Sequence, residues 1–370
     1  MELPEFKVEA WLNKWEKSAQ YDISQSSIAA LTLEELMTLA GTTSEEFFGH
    51  LAQTPLDYGW IEGSPEFKQA VSQLYQNVAP DNVLQMNGAT GGNFLALLAL
   101  VEPGDEIVSM RPSYQQLYDF PKSLGAEVKF IELQEENAWE FEVSKLAQVI
   151  TSKTKVITLN NANNPTGTYL NRQQLEEVVA LAKKVDAYVL VDEVYQPLEA
   201  TDYCPVVDLY DKGISINSLS KTYSLPGLRI GWSASSREIA DLFRKYRDYT
   251  TICGGVINDA LAVLALQCKD KILARNRQIM AQNMATVQEW LETQPRVSLV
   301  GGQGVSTSFI KIEMIQSDTE FCRQLLQEKG VLLVPGSAFD KPGYARLGYC
   351  CQPEVLKEGL KRLGGFLAGK

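Results

Sequence analysis

Lys221 lies in a short motif whose residue types could form a covalent bond to a carbonyl compound. It ends Ser218-Leu219-Ser220-Lys221, directly after the apolar run 213–217. An amine at the end of a buried strand is short of water and deprotonates easily, as a Schiff-base lysine requires. Arg229, eight residues further on, supplies a permanent positive charge for an anion. Taken alone, the motif is equally compatible with a surface lysine in a loop.

A carboxylate ends a second apolar run. Val189-Leu190-Val191 leads into Asp192, and a buried strand end does not tolerate an aspartate without a partner. A protonated nitrogen of a heteroaromatic ring would be such a partner, with the Tyr195 phenol close by as a donor. The alternative interpretation is an aspartate that caps a helix.

A glycine-rich segment follows another apolar run and opens a helix. In Asn87-Gly88-Ala89-Thr90-Gly91-Gly92, free backbone N–H groups and the Thr90 hydroxyl would form a phosphate site at a helix N-terminus. The segment matches neither G-x-x-x-x-G-K-[ST] nor G-x-G-x-x-G. Glycines at such a turn also serve turn geometry alone.

Three further residues have a type and position suited to ligand binding. Tyr114 follows a strand-like run and could stack on a planar ligand, or simply pack. Asn164 lies in the turn Asn163-Asn164-Pro165-Thr166-Gly167, where its amide could bind an oxygen substituent. Arg346 lies on an apolar strand, and its guanidinium suits either a substrate carboxylate or a structural ion pair.

Composition narrows the classes of protein. The net charge of -12 argues against a nucleic-acid surface or an anionic membrane as partner. With His50 as the single histidine and six scattered cysteines, we expect no metal site and no disulfides, and therefore a reducing cytoplasm. No secretory signal or membrane-spanning run is recognisable.

Apolar runs alternate with helix-like stretches from about residue 80 to 235. This alternation predicts an α/β fold, a mostly parallel sheet with helices on both faces. The chemically interesting residues follow strands, where ligands bind in such sheets. The predicted strands are 82–86, 106–110, 127–133, 155–159, 187–192, 213–217 and 228–233, with helices at 94–101, 113–124, 143–150 and 172–184.

At 370 residues the chain is long enough for two domains. We expect a large α/β domain over 46–250. Residues 1–45 and 251–370 would form a smaller α+β domain with interdomain helices. Long helices are predicted at 237–248 and 258–290, a strand at 331–334, and the helix-like stretch 33–39 is expected to pack against the C-terminal unit.

Together and in this order, these residues resemble fold-type-I pyridoxal-phosphate enzymes, specifically the class I/II aminotransferases. The resemblance spans Tyr58 to Arg346 and rests on Asn-Pro-Thr-Gly, Asp-x-x-Tyr and S-x-S-K-x-x-x-x-P-G-x-R-x-G. It implies a seven-stranded, mostly parallel sheet in the large domain. It also implies pyridoxal 5'-phosphate as cofactor, transfer of an amino group between an amino acid and a 2-oxo acid, and a homodimer.

The resemblance assigns a role to each residue. Lys221 would form the Schiff base, Asp192 would pair with the pyridinium nitrogen, and Tyr114 would stack on the ring. Asn164 and Tyr195 would bind the ring oxygen, and Arg346, with Asn164 beside it, would hold the substrate carboxylate. Tyr58 would reach the phosphate of the neighbouring subunit. The phosphate itself would be held by Gly88, Ala89, Thr90, Ser218 and Arg229, with Ser220 nearby.

Two departures leave the reaction and the substrate open. Residues 21–27 lack the Gly-x-Pro pattern common where this family contacts substrate, and with 250–253 they loosely resemble capreomycidine-synthase-like enzymes. The alternative is therefore a β-eliminating lyase or a cyclising enzyme on the same scaffold. A non-catalytic effector-sensing domain is a third hypothesis, against which the presence of Lys221 argues.

The sequence also bears on the substrate. No basic residue matches a residue that would bind a second, distal carboxylate, which disfavours an aspartate-type substrate. The predicted pocket-lining residues are Trp11, Tyr21, Gln25 and Trp60.

Overall fold

A computed structural model describes residues 2–302 and 304–369. The β-strands are β1 (Tyr21–Asp22), β2 (Val83–Asn87), β3 (Glu106–Arg111), β4 (Glu127–Glu132), β5 (Thr154–Asn160), β6 (Tyr188–Asp192), β7 (Gly213–Ser218), β8 (Ile230–Ala234), β9 (Val297–Leu299), β10 (Ser308–Ile312), β11 (Val331–Leu332), β12 (Val334–Pro335) and β13 (Tyr344–Leu347). The α-helices are α1 (Lys7–Trp15), α2 (Leu33–Ala40), α3 (Ser44–Leu51), α4 (Pro65–Ser72), α5 (Gly88–Leu100), α6 (Gln116–Ser123), α7 (Val143–Val149), α8 (Arg172–Val185), α9 (Arg237–Arg247), α10 (Val256–Gln267), α11 (Lys269–Glu292), α12 (Asp318–Lys329) and α13 (Pro353–Ala368).

The largest sheet has seven strands in the order β2-β8-β7-β6-β5-β3-β4. Only β8 runs antiparallel to its neighbours β2 and β7, and the other pairs are parallel. This confirms the predicted α/β fold. The strands differ from their predicted bounds by at most two residues at either end, because each is a continuous apolar run.

Helices cover both faces of this sheet. Alternate residues of one strand enter different cores: Val189 and Val191 pack with α7 and α8, whereas Leu190 packs with α5, α6 and α9. Burial on both faces explains why the central strands are apolar throughout. It also leaves only the strand ends free to present polar side chains.

The C-terminal part forms an antiparallel sheet in the order β12-β13-β10-β9, with α11, α12 and α13 packed against it. Two predictions were wrong in this part. The strand 331–334 is interrupted, because β11 pairs with β1 whereas β12 pairs with β13. The helix 258–290 is two helices, because Cys268 between α10 and α11 has the non-helical angles φ -103° and ψ 18°.

The N-terminal part does not pack as expected. Leu36 and Met37 of α2 join a core with Trp232 of β8 and Leu261 of α10. The helix therefore packs against the large sheet and α10, and its predicted packing on the C-terminal unit was wrong. No helix among the described residues has the length and apolarity needed to cross a membrane.

Candidate active site

A cavity of about 380 Å³ lies at the C-terminal ends of the large sheet's parallel strands, between that sheet, α1 and β13. Strands β3, β5, β6 and β7 each deliver polar side chains to it from the residues around their ends. Eleven of the predicted site residues line it: Ala89, Thr90, Tyr114, Asn164, Asp192, Tyr195, Ser218, Ser220, Lys221, Arg229 and Arg346.

Lys221 follows the end of β7 and faces the cavity. Its Nζ donates a hydrogen bond to Ser26 Oγ at 2.8 Å and lies 5.9 Å from the centroid of the Tyr195 ring. Burial lowers the pKa of Lys221 to about 8, and the positive charge of Arg346 acts in the same direction. At pH 7 the amine is therefore neutral in about a tenth of molecules, far more than for an exposed lysine.

Asp192, at the end of β6, is 3% exposed. One carboxylate oxygen accepts a hydrogen bond from Asn93 Nδ2 at 2.6 Å, and the other accepts one from the Val194 amide at 3.2 Å. Burial raises the pKa of Asp192 to about 6 despite these donors. Because no described cation lies within 4.0 Å of this carboxylate, it is suited to a positively charged group placed in the cavity.

A candidate anion site lies where β2 meets α5. Gly88 has φ +67°, and a Cβ there would lie 2.6 Å from Arg229 Nη2, so the close approach of this guanidinium requires glycine. The Gly88 N–H donates to the Arg229 carbonyl at 3.1 Å, and no side chain caps α5 at Asn87, which leaves the next N–H groups of the first turn free for an anion. Arg229 Nη1 lies 3.4 Å from Ser220 Oγ, which keeps the charge beside the helix N-terminus.

Arg346 of β13 is a buried cation, 1% exposed. It donates to Asn164 Oδ1 at 3.2 Å and through Nη2 to the Ser24 carbonyl at 2.8 Å. Burial lowers the pKa of Arg346. No described carboxylate lies within 4.0 Å of the guanidinium, so the structural ion pair considered from sequence is not formed. A carboxylate that enters the cavity could accept hydrogen bonds from the guanidinium N–H groups of Arg346.

Two phenols border the same space. Burial raises the pKa of Tyr114 above its ordinary value, and its ring contacts Phe6 with centroids 5.1 Å apart. Burial raises the pKa of Tyr195 to about 12, so its hydroxyl keeps its proton and can donate. Both rings are positioned to contact a planar group beside Asp192.

Several lining residues were missed from sequence. Phe6, Val8, Glu9 and Leu12 of the N-terminal segment line the cavity, as does Ser26. In the sequence, the serine-containing segment 24–27 stands out only because it lacks the Gly-x-Pro pattern. Its buried position beside Lys221 is a tertiary contact that no local signal indicates.

The residues predicted to line the pocket do not do so within this chain. Trp11 packs against the cores of both sheets and donates from Nε1 to the Leu333 carbonyl at 2.9 Å, and the Tyr21 ring lies under Arg362. Gln25 is exposed, and Trp60 is 60% exposed. These predictions rested on the family placement of the N-terminal segment near the site, whereas the side chains do not line the cavity.

Two predicted cofactor residues lie outside the cavity lining. Gly88 contributes backbone at the anion site, as described above. Tyr58 is 67% exposed on the surface, where only another molecule can bring it to a ligand.

Comparison with known proteins identifies the family. Residues 36–363 match the family model "Aminotransferase class I and II". A solved PLP-dependent aminotransferase from Streptococcus suis is 54% identical, with a TM-score of 0.98 over 100% of this chain and 99% of that one. An aspartate aminotransferase of Thermotoga maritima is 33% identical over 87% of this chain and 86% of its own length. A capreomycidine synthase of Streptomyces vinaceus is 28% identical over 97% and 92%.

The chain therefore belongs to the class I and II aminotransferases. It is a pyridoxal-phosphate-dependent aminotransferase whose substrates are an amino acid and a 2-oxo acid. The residues present fit this cofactor, since no described cation lies within 4.0 Å of the Asp192 carboxylate, no side chain caps the N-terminus of α5, and the Lys221 amine is partly neutral. The comparisons do not favour the eliminating or cyclising alternative.

Proposed function

We propose that Lys221 is the covalent and proton-transferring residue of this aminotransferase. The observation that supports this role most directly is that Nζ shares one cavity with the carboxylate of Asp192 and the guanidinium of Arg346. When bound, pyridoxal phosphate supplies a carbonyl that captures amines and a ring that withdraws electrons from the captured carbon. The remaining work falls to residues of the chain.

Lys221 has the pKa needed to take and return a proton. Burial holds its pKa at about 8, so a neutral Nζ is available to accept a proton from a neighbouring C–H bond and to return it elsewhere. Asp192 supports this step by keeping the ring nitrogen protonated. A buried carboxylate stabilises a cation within hydrogen-bonding distance far better than one in water does.

The other residues bind and orient. We assign the phosphate to Arg229, the α5 N-terminus at Gly88, Ala89 and Thr90, and the hydroxyls of Ser218 and Ser220. We assign ring stacking to Tyr114 and the ring oxygen to Asn164 and Tyr195. Arg346 would hold the substrate carboxylate next to Asn164, and α1 would exclude water from the cavity.

We further propose a homodimer with shared sites. Residues 56–61 lie against α10, since a Cβ on Gly59 would be 3.0 Å from Val256 Cγ2. The surface around this contact displays seven large apolar side chains: Leu56, Tyr58, Trp60, Ile61, Tyr249, Ile252 and Ile257. A second copy of the chain would cover them and bring Tyr58 to the neighbouring phosphate. Light scattering at micromolar concentration tests the stoichiometry.

The predicted domains, 46–250 and 1–45 with 251–370, and the cytoplasmic location remain proposals. The first is supported by the core that α11, α12 and α13 form with the four-stranded sheet, but the packing of α2 and α10 on the large sheet argues for assigning these two helices to the large domain. Six free cysteines support the second.

The proposed roles are tested by an amino-donor screen. Candidate amino acids are incubated with 2-oxoglutarate or pyruvate, and products are followed by mass spectrometry. We expect a new amino acid that forms only when the 2-oxo acid is present, and the Lys221→Ala variant should form none. Release of ammonia and pyruvate without an acceptor would instead support a lyase.

A further inference from the structure

Glu9 is an acidic side chain that borders the cavity. It lies in the first turn of α1, is half-buried and lines the cavity. Among the described residues it forms no hydrogen bond or ion pair. Burial lowers the pKa values of Lys221 and Arg346, and the negative charge of Glu9 acts on both in the opposite direction. Its carboxylate therefore faces the reacting region.

Glu9 is the one charged lining residue to which the proposed function assigns no ligand group. The charged residues that line the cavity are Lys221, Arg229, Arg346, Asp192 and Glu9. In the proposed function the first four each face a complementary group of the cofactor or substrate. Glu9 faces none, and the neighbouring lining side chains of this segment, Phe6, Val8 and Leu12, are apolar. A carboxylate in such surroundings is stabilised by a cation.

Hydrogen bonds fix α1 in place. The Lys7 amide donates to Gln115 Oε1 at 2.9 Å, and Gln115 Nε2 donates to the Glu5 carbonyl at 2.9 Å. On the opposite side, Trp11 Nε1 bonds to the Leu333 carbonyl. These bonds lie on both sides of Glu9 in sequence and fix the part of α1 that brings it to the cavity lining.

We propose that Glu9 is a specificity-determining residue that binds a cationic group on the substrate side chain. The preferred amino acid then carries a second positive charge, an ammonium or a guanidinium, at the far end from the carboxylate held by Arg346. Ionised donors and carboxylates form short, strong hydrogen bonds, and the guanidinium adds bidentate geometry. This inference rests on the proposed function and names its substrate class.

A purely structural role for Glu9 makes a different prediction. An acidic residue in the first turn of a helix stabilises the helix dipole. Its removal would then lower stability and affect all substrates alike, whatever their charge. The dependence on substrate charge separates the two roles.

The test compares charge-matched donors. For the wild type, kcat/KM is measured with arginine against citrulline and with lysine against norleucine, using a fixed 2-oxo acid. We expect the cationic member to be preferred by about tenfold or more, as for a hydrogen bond to a charged group. Glu9→Gln should abolish the preference and leave the neutral donors unchanged. Glu5→Gln is the matched control, because its exposed side chain lies outside the cavity and only its carbonyl holds α1.

Binding without turnover provides a second measurement. The deamino analogues of arginine and citrulline keep the carboxylate and the side chain but have no amine to react. Calorimetry on the holoenzyme should show that Glu9→Gln weakens binding of the arginine analogue about tenfold and leaves the citrulline analogue unaffected. Glu5→Gln should change neither.

Two outcomes would overturn the proposal. One is a wild type that uses neutral or acidic donors as well as cationic ones. The other is a Glu9→Gln variant that loses stability or all activity equally without a change in charge preference. If the wild type transferred no amino group from any donor, the proposed function would fail instead, and the calorimetric comparison would still decide the role of Glu9.

Discussion

The Nζ of Lys221 and the Oγ of Ser26 are joined by a hydrogen bond of 2.8 Å across 195 positions of sequence. The loop that carries Ser26 is held in turn by Arg346, which donates to the Ser24 carbonyl, and by Ser306, which donates to the Ser26 carbonyl. The loop after β1 thus links the lysine to the arginine that faces the same cavity.

Ser26→Ala should destabilise the apoprotein more than the holoenzyme. Without the hydroxyl, Nζ loses its partner in a poorly hydrated site, at a cost of about 1 kcal/mol. In the holoenzyme Nζ is engaged by the cofactor, so the same change should cost little. Urea denaturation of both forms measures the difference, with Ser27→Ala as the neighbouring control. Equal losses in the two forms would show that Ser26 only packs.

Asp192→Asn should stabilise the apoprotein above pH 6. Burial raises the pKa of Asp192 from 3.8 to about 6, so the folded chain holds a proton that the unfolded chain has already released. Ionisation therefore removes stability as pH rises through this window, by up to about 3 kcal/mol. The gain of the variant over the wild type should grow across the window and level off above it.

Chemical denaturation of the apoprotein at several pH values measures this gain. The same variant should bind pyridoxal phosphate more weakly, because an amide cannot balance the charge of a protonated ring nitrogen. A gain in stability that did not vary with pH would refute the ionisation argument.

Gly88→Ala should weaken cofactor binding by about tenfold or more. The residue has φ +67°, and its new Cβ would lie 2.6 Å from Arg229 Nη2, displacing a charge proposed to hold the phosphate. Gly91→Ala is the matched control, since its Cβ meets only Asn87 Cβ at 3.5 Å. Titration of the apoproteins with pyridoxal phosphate, followed by fluorescence, compares the two. Similar affinities would contradict the assigned phosphate site.

Arg346→Lys should lower kcat/KM for amino acids roughly a hundredfold, mainly through KM. Lysine keeps the charge but lacks the fork that bonds Asn164, the Ser24 carbonyl and a substrate carboxylate together. Reaction with a primary amine that has no carboxylate should be nearly unchanged. Steady-state kinetics on both kinds of donor give the answer, and an equal loss on both would indicate a general structural defect.

The large sheet and the cavity residues that follow its strands were predicted from the sequence much better than the N-terminal segment was. The strands of the large sheet were predicted almost to the residue, because their burial on both faces leaves long apolar runs. The residues from Asn164 to Lys221 that line the cavity follow those strands and were predicted with them. Cys268 has no helix-breaking character, so the interruption between α10 and α11 could not be predicted.

The N-terminal segment shows the opposite case. Glu9 and Ser26 reach the cavity through contacts of α1 and the following loop with residues far away in sequence, such as Gln115 and Ser306. Trp11 and Trp60 were predicted from the placement of the N-terminal segment in the family, but Trp11 bonds to the Leu333 carbonyl instead, and Trp60 lies on the surface. A pattern of residue types therefore indicates the cofactor side of the site better than the substrate side.

The central claim is that Lys221 bonds to the cofactor. Reduction of the holoenzyme with borohydride fixes any lysine–cofactor linkage, and peptide mass mapping locates it. We predict the mass of the reduced cofactor on the peptide that contains Lys221 and on no other, with none in Lys221→Ala. A label on a different lysine, or no label on a protein that still transfers amino groups, would contradict the assignment.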